Sequence, residues 1–258
     1  MDGALVHYAQ KQGCNMKNDA GKKSIGDIMV CVMSRLLKDG DTVFTGLASH
    51  MPVVAIHLAR ALHAPNLWQL NTSGGICPKS LTGESYTSIG DGMRIGSVGD
   101  FPLDEVFDLS VRGGLDVAFL SGAQFDPYGS VNSSVIGSIT KPKVKFPGGA
   151  GSAIILPTAK RVIAWRTRHD KRTFVEKVDF VTAKGNIDRI VTNLCVLRFD
   201  TGELRLESIH PGVSVEDVHA NTGFDIDCSQ VKETPSPTDK ELMALRSIDP
   251  KGLRYLEL

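Results

Sequence analysis

A short apolar run leads into a stretch of polar side chains and glycines, and this junction is the best candidate for a binding site. Residues 117–120 read Val-Ala-Phe-Leu, the continuous apolar pattern of a strand that is buried on both faces of a parallel sheet. Ligands of open α/β sheets bind beyond the carboxyl ends of the strands. We therefore expect polar contacts from the side chains that follow, namely Gln124, Asp126, Asn132, Ser133 and Ser134.

A second glycine-rich segment follows and exposes bare backbone. Gly148, Gly149, Ala150 and Gly151 come in succession without a bulky side chain. Such a run lets backbone N–H groups approach an anion, a phosphate or a developing oxyanion. A simple tight turn is the alternative interpretation. The segment does not match a nucleotide-binding loop, because the third glycine of a dinucleotide fingerprint would fall at Ile154 and no Gly-Lys-Ser/Thr sequence follows.

Helical and strand patterns alternate in the first half of the chain, which predicts an open, mainly parallel α/β sheet with flanking helices. Thr72 and Ser73 end one of the predicted strands, so they also emerge at a carboxyl end. The stretch from 73 to 100 has no clear periodicity and is expected to be a loop-rich excursion. The predicted helices are 24–37, 52–62 and 103–111, and the predicted strands are 42–45, 67–72 and 117–120.

The second half of the chain predicts a mixed α/β layer. Strands are expected at 162–165 and 178–181, and a hairpin at 194–209 with its turn at Asp200-Thr201-Gly202. Thr238, with Glu241 three residues later, is a capping box for a final helix that ends near residue 248. We expect one domain over residues 24–258, preceded by a polar arm at 1–23.

The composition points to a small-molecule or protein partner. Lysine plus arginine equals aspartate plus glutamate at 29 each, so no basic surface for nucleic acid or anionic membrane is expected. The five cysteines have no paired spacing and the seven histidines no metal-ligand spacing, which favours a reduced, cytoplasmic chain without a metal site or a permanently bound cofactor. His210 lies in a His-Pro-Gly turn, where a functional and a structural role are equally open.

The order of several motifs resembles the β subunit of the family I CoA-transferases, and glutaconate CoA-transferase in particular. The likeness extends over nearly the whole chain from about Ser24. Its motifs are APN at 64–66, GAQFDPYGSVNSS at 122–134, FPGGAG at 146–151, FVEKVDFVT at 174–182, HPG at 210–212 and NTGFD at 221–225. The resemblance implies a family I fold, a related α subunit in an αβ or (αβ)2 assembly, and a coenzyme A thioester as substrate.

One position departs from the family pattern. In the family a β-subunit glutamate attacks the thioester, giving an acyl-glutamyl anhydride and then a glutamyl-CoA thioester. Its place falls on Thr72 here, followed by Ser73-Gly74. A threonine ester would be a poor acceptor for returning CoA. Glu84 is the nearest alternative carboxylate, although its surroundings do not match the motif.

The resemblance also suggests roles for the other candidates. The backbone N–H groups of 148–151 would bind the thioester oxygen or the pantetheine end, the Gln124 amide would orient the acyl group, and Thr72 and Ser73 would line the pocket. Asn132 is a candidate for substrate binding, although Asx side chains commonly bond their own backbone in turns.

Three functions stay open at this stage. The first is a β subunit that processes a (di)carboxylic acyl-CoA by CoA transfer. The second is an acyl-CoA lyase or hydrolase on the same scaffold, like two family branches that work without the β-subunit glutamate: a decarboxylase of 3-methylglutaconyl-CoA type and a ring-opening hydrolase of steroid breakdown. The third is a non-catalytic subunit that completes the site of the α subunit.

Overall fold

The structure is a computed structural model that describes residues 25–79, 81 and 90–258. The expected N-terminal arm, Ser24 at the predicted start of the first helix and the candidate Glu84 lie outside the described residues. The described helices are α1 (Ile25–Arg35), α2 (His50–Leu62), α3 (Leu103–Val111), α4 (Ser152–Thr158), α5 (Val215–Asn221) and α6 (Asp239–Ile248), with single 3-10 turns at Asp91–Arg94 and Leu253–Tyr255.

Fifteen strands are present in the described part of the chain. They are β1 (Thr42–Thr45), β2 (Trp68–Asn71), β3 (Gly75–Ile76), β4 (Gly99–Asp100), β5 (Val117–Leu120), β6 (Gln124–Phe125), β7 (Ser130–Asn132), β8 (Val135–Ser138), β9 (Lys141–Lys145), β10 (Arg161–Arg166), β11 (Ala183–Lys184), β12 (Ile187–Thr192), β13 (Cys195–Asp200), β14 (Glu203–Ile209) and β15 (Lys232–Glu233).

A ten-stranded sheet forms the centre of the fold, in the order β15-β14-β13-β12-β10-β5-β1-β2-β3-β4. The five strands from β12 to β2 run parallel, and short antiparallel strands extend the sheet beyond β2. The strands β13 and β14 form the predicted hairpin and continue the same sheet beyond β12. The expected mainly parallel α/β sheet is therefore confirmed, and its mixed C-terminal part is an extension of that sheet.

Both faces of the sheet are covered by helices. Successive residues of β5 point to opposite faces, so that Phe119 packs with α1, α2 and α6 while Ala118 packs with α3, α4 and α5. Each face has its own buried apolar cluster. This burial explains why the parallel strands read as continuous apolar runs rather than alternating ones.

Two expectations about elements are corrected by the structure. The segment 178–181 forms no strand, because the N–H of Asp179 donates to the Gln124 side chain at 3.0 Å and its carboxylate accepts from Gly137 at 2.8 Å. A helix that the sequence analysis did not assign, α5, begins after Ser214, which forms a capping box with Asp217. None of the helices described is both long and apolar enough to cross a membrane.

Candidate active site

A cavity of about 930 Å³ opens at the carboxyl ends of four adjacent parallel strands. The first residue after each of these strands lines it: Gly46 after β1, Thr72 after β2, Ser121 after β5 and Thr167 after β10. This is where an open α/β sheet places its ligands. A smaller depression of about 420 Å³, lined by residues 94–100, lies on the surface.

The glycine-rich segment forms one wall of this cavity, as the sequence analysis expected for its backbone. Gly148 donates its N–H to the Ser133 carbonyl at 3.0 Å, so this group is not available to a ligand. The N–H groups of Gly149, Ala150 and Gly151 donate to no acceptor in the described part of the chain. Three adjacent donors are therefore free to bind an anion or a developing oxyanion.

Close packing holds this segment in place although its backbone is strained. A Cβ added to Gly149 would lie 2.9 Å from a methyl carbon of Thr182, and one added to Gly151 would lie 2.6 Å from the Phe107 ring. Ala150 has φ of +42°, and Ala48, across the same cavity, has φ of +48°. Left-handed backbone at a residue other than glycine costs of order 1 kcal/mol and is often found at functional sites.

The turn after β2 places Thr72 in the cavity wall. The fully buried Asn71 holds this turn, because its amide donates to the carbonyls of Gly75 and Met93 at 3.1 and 3.0 Å and its oxygen accepts the Ser73 N–H at 2.9 Å. The Thr72 hydroxyl is buried and has no hydrogen-bond partner among the described residues. The Ser73 hydroxyl accepts the N–H of Gly90 at 2.8 Å.

A carboxylate that the sequence analysis did not identify also reaches the cavity. Glu257 accepts a hydrogen bond from the Trp165 indole at 2.7 Å through Oε2 and from the Met51 N–H at 3.1 Å through Oε1. Met51 lies in the first turn of α2. A carboxylate there accepts a hydrogen bond from a free N–H and interacts favourably with the positive end of the helix dipole. Of the described residues that line the cavity, Glu257 is the only one with a carboxylate.

Two arginines line the cavity and differ in their surroundings. Arg94 makes a bidentate pair with Asp100, at 2.8 and 3.2 Å. Arg166 ends β10, and its buried Nε has no hydrogen-bond partner in the described residues. Burial lowers the pKa of Arg166, and the negative charges of Asp170 and Glu257 partly oppose this effect.

Five of the predicted site residues lie outside the cavity lining: Gln124, Asp126, Asn132, Ser134 and His210. Gln124 and Asn132 are buried and bonded to each other at 2.6 Å, and the Asn132 amide also donates to the Val135 carbonyl at 2.6 Å. Their polar atoms therefore hold the β6–β7 region together. The expected contact of Gln124 with an acyl group does not agree with this placement.

His210 is likewise bonded inside the protein. Its Nε2 lies 2.8 Å from the Thr192 carbonyl oxygen and its Nδ1 lies 3.0 Å from the Thr234 hydroxyl. Burial lowers its pKa, so the neutral ring is favoured. Of the two roles that the sequence left open, this environment favours the structural one.

Among the side chains missed, Arg166 had a signal in the sequence, while Glu257 had none. Arg166 and Thr167 follow the apolar run of a predicted strand and so belong to its carboxyl end. Glu257 comes from the far end of the chain, 206 residues from its partner Met51. No local pattern could have placed it there.

Comparisons with known proteins agree with this architecture. The family model described as coenzyme A transferase matches residues 28–221. The B subunit of the 3-oxoadipate CoA-transferase of Pseudomonas knackmussii is 36% identical, over 88% of this chain and 93% of the relative. The B subunit of the glutaconate CoA-transferase of Acidaminococcus fermentans is 30% identical, over 90% and 94% of the two chains.

The solved structure of an enzyme with a different activity is also similar. The decarboxylase AibA/AibB superposes with a TM-score of 0.85 at 29% identity, over 92% of this chain and 99% of that one. The match of the family model over most of the chain, together with relatives of 30% identity or more along nearly their full length, decides the assignment. The chain belongs to the coenzyme A transferase family.

Proposed function

We propose that this chain is the β subunit of a heteromeric enzyme that processes a (di)carboxylic acyl-CoA in the cavity at the carboxyl ends of the parallel strands. The observation that carries the proposal is that Thr72 and residues 149–151, whose three N–H groups are free, line the same cavity. Two relatives are named as B subunits of CoA-transferases, one for 3-oxoadipate and one for glutaconate. An α subunit is therefore the expected partner, and a CoA thioester the expected substrate.

The free N–H groups supply the electrostatic part of the chemistry. Attack on a thioester carbonyl, or proton loss next to it, places negative charge on the carbonyl oxygen. Donors that are already in position and bound to nothing else stabilise that charge without reorganisation. Mutational loss of one such donor typically costs about 10²–10³-fold in turnover. Gly149, Ala150 and Gly151 fit this role because their N–H groups have no acceptor among the described residues.

Transfer of CoA also needs a carboxylate nucleophile. The carboxylate forms a C–O bond with the acyl carbon while the C–S bond breaks, and CoA leaves as the thiolate. The thiolate then attacks the carbonyl carbon of the enzyme carboxyl group in this anhydride. The enzyme becomes a CoA thioester, and the acyl group leaves as the free carboxylate. Thr72 cannot complete this exchange, because returning CoA does not readily displace the oxygen of an ester. Both oxygens of Glu257 accept hydrogen bonds from N–H groups. For transfer the nucleophile would then come from Glu84, as the nearest other carboxylate in the sequence.

A second candidate function is decarboxylation or hydrolysis of an acyl-CoA. The observation that favours it is that the described lining residues include no free carboxylate, while Thr72, on which the resemblance to the family places the nucleophile, lines the cavity. The decarboxylase AibA/AibB has the same fold. A catalytic carboxylate from the α subunit would serve this chemistry, with the oxyanion donors still on this chain. A third candidate, a subunit that only completes the partner's site, would need no donors from this chain.

The test is a mass-spectrometric assay of the complex with its co-purified partner, using a panel of dicarboxylic acyl-CoAs and isotopically labelled acetate. Label in acetyl-CoA identifies transfer. Carbon dioxide, or free acid without transfer of label, identifies the lyase or hydrolase. Failure to consume any thioester contradicts the proposed function.

Three variants of the same complex test where the nucleophile lies. Thr72→Glu is expected to introduce or increase transfer and to give a CoA adduct on the new glutamate, because it restores the family nucleophile. Thr72→Ser keeps the hydroxyl and serves as the control without such an adduct. Loss of label transfer in Glu84→Gln would identify Glu84 as the nucleophile of the wild-type enzyme.

A further inference from the structure

Among the described residues, Arg166 is a positive side chain of the cavity that has no ion-pair partner. It forms no ion pair or hydrogen bond through its guanidinium in the part of the chain that the structure describes. Its Nε is fully buried. Burial of a charge is costly unless a hydrogen-bonded ion of opposite charge accompanies it. No described residue supplies the counter-ion, so the ligand or the partner subunit is the source that we test.

The carboxylates near Arg166 are already bonded to other groups. Asp170 pairs with Arg168 at 2.9 Å and with Arg172 at 3.2 Å, and it also accepts backbone N–H groups. Glu257 is held by the Trp165 indole and a helix N–H. Neither lies within ion-pair distance of Arg166, although both influence its pKa. The other arginine of the cavity, Arg94, is neutralised by Asp100.

The donor geometry of the guanidinium and the apolar lining of the cavity suit one kind of anion. A guanidinium presents two parallel N–H donors that match the two oxygens of a carboxylate. Apolar side chains between the strand ends and the glycine-rich wall suit a chain of methylene groups: Phe44, Phe119, Leu120 and Ile155. A ligand with a thioester at the donors of 149–151 and a free acid at its other end would satisfy the cavity and Arg166 together.

We infer that Arg166 is a specificity-determining residue that binds the terminal carboxylate of the acyl group. The inference rests on the proposed function and adds the residue that selects a dicarboxylic over a monocarboxylic acyl-CoA. Its ligand is the free acid end of the substrate, so the residue acts on recognition rather than on the thioester itself.

The experiment compares glutaryl-CoA with pentanoyl-CoA, which has the same chain length but lacks the terminal carboxylate. Consumption of each is measured for the wild-type complex, for Arg166→Gln and for the control Arg168→Gln. Arg168 lies two residues away, is 70% exposed and pairs with Asp170 on the surface. We expect Arg166→Gln to lower kcat/KM for glutaryl-CoA about a hundredfold, with pentanoyl-CoA and the Arg168→Gln variant changed less than about threefold.

A second readout does not depend on turnover. Glutarate, used as a free dianion, is expected to raise the Tm of the wild-type complex and not that of Arg166→Gln, whereas pentanoate raises neither by a comparable amount. If no thioester is consumed but this shift is seen, the proposed function fails and the carboxylate site stands.

Three results would overturn the inference. An equal loss with both thioesters would mean that Arg166 binds the phosphates of CoA, which the two share. Equal kcat/KM of the wild-type complex for both thioesters would show that no residue selects the terminal acid. Dissociation of the complex by Arg166→Gln, followed by native mass spectrometry, would assign Arg166 to a carboxylate of the partner subunit.

Discussion

At the scale of single residues, the site depends on which polar groups the fold leaves unused. Gly148 donates its N–H to the Ser133 carbonyl, whereas the N–H groups of the next three residues have no acceptor among the described residues. Both oxygens of Glu257 accept hydrogen bonds, whereas Arg166 has no anionic partner among the described residues. Under the proposed function, the N–H groups would bind the thioester oxygen on which negative charge develops, and Arg166 would bind the carboxylate at the other end of the ligand.

Gly149→Ala tests the donors. The added Cβ would lie 2.9 Å from a Thr182 methyl carbon, closer than normal packing allows, so the neighbouring N–H groups must shift. We expect turnover of the acyl-CoA by the complex to fall about 10- to 100-fold while the complex stays folded. Gly99→Ala is the control, since its added Cβ would meet Ile76 at an ordinary 3.6 Å. Unchanged turnover in Gly149→Ala would argue against a catalytic role for this backbone.

Glu257→Gln separates a structural carboxylate from a catalytic one. The amide keeps one acceptor oxygen but loses one of the two bonds from Met51 and Trp165. We expect the free energy of unfolding to fall by about 1–2 kcal/mol in urea titrations, with turnover changed less than tenfold. If turnover is abolished while stability is unchanged, Glu257 takes part in the chemistry.

The sequence anticipated this site where it depends on local backbone and failed where it depends on distant parts of the chain. The glycine-rich wall and Thr72 were found because strand ends and glycine runs are visible locally. Gln124 lies outside the cavity lining, since polarity after a strand does not reveal whether a neighbour such as Asn132 bonds to the side-chain oxygen. The position of Glu257 follows only from the tertiary fold.

At the scale of elements, the parallel strands were predictable because burial on both faces makes them continuously apolar. The strands 42–45 and 117–120 and the helix 103–111 have the predicted bounds. The segment 178–181 has alternating apolar residues but bonds to side chains instead of a neighbouring strand. The Ser214–Asp217 capping box was a usable signal for α5.

The capping box of α6 gives a test by pH. Burial raises the pKa of Glu241, but hydrogen bonds from Arg35 and Thr238 outweigh it and lower the pKa to about 2. A lowered carboxylate pKa stabilises the fold above the ordinary value of 4.5, and this contribution is lost as the pH falls from there toward about 2. We expect Glu241→Gln to be less stable than wild type at pH 7 by about 1–2 kcal/mol.

The measured quantity is the difference in the free energy of unfolding between wild type and Glu241→Gln. Urea unfolding at several pH values is expected to show that this difference becomes smaller as the pH falls from 4.5 toward about 2. A difference that stays constant with pH would contradict the role of the Arg35–Glu241 pair.

At the scale of the whole molecule, the proposed chemistry requires a partner subunit. In the proposed function this chain would supply the oxyanion donors and a cation, but the described lining residues supply no free carboxylate. We expect turnover only when the chain is purified together with its α subunit, and native mass spectrometry to show both subunits in the active species. Full activity of a monomer of this chain alone would contradict that expectation.

The most direct measurement of the central claim is hydrogen exchange of the backbone amides in this complex. The ligand would be a ketone analogue of glutaryl-CoA, in which a methylene group replaces the sulfur and prevents cleavage. Amides that bind a ligand oxygen exchange more slowly. We predict slower exchange in peptides that cover residues 149–151, with no change in α6 as the internal control. If exchange at 149–151 is the same with and without the analogue, these N–H groups do not bind the thioester oxygen and the proposed site is wrong.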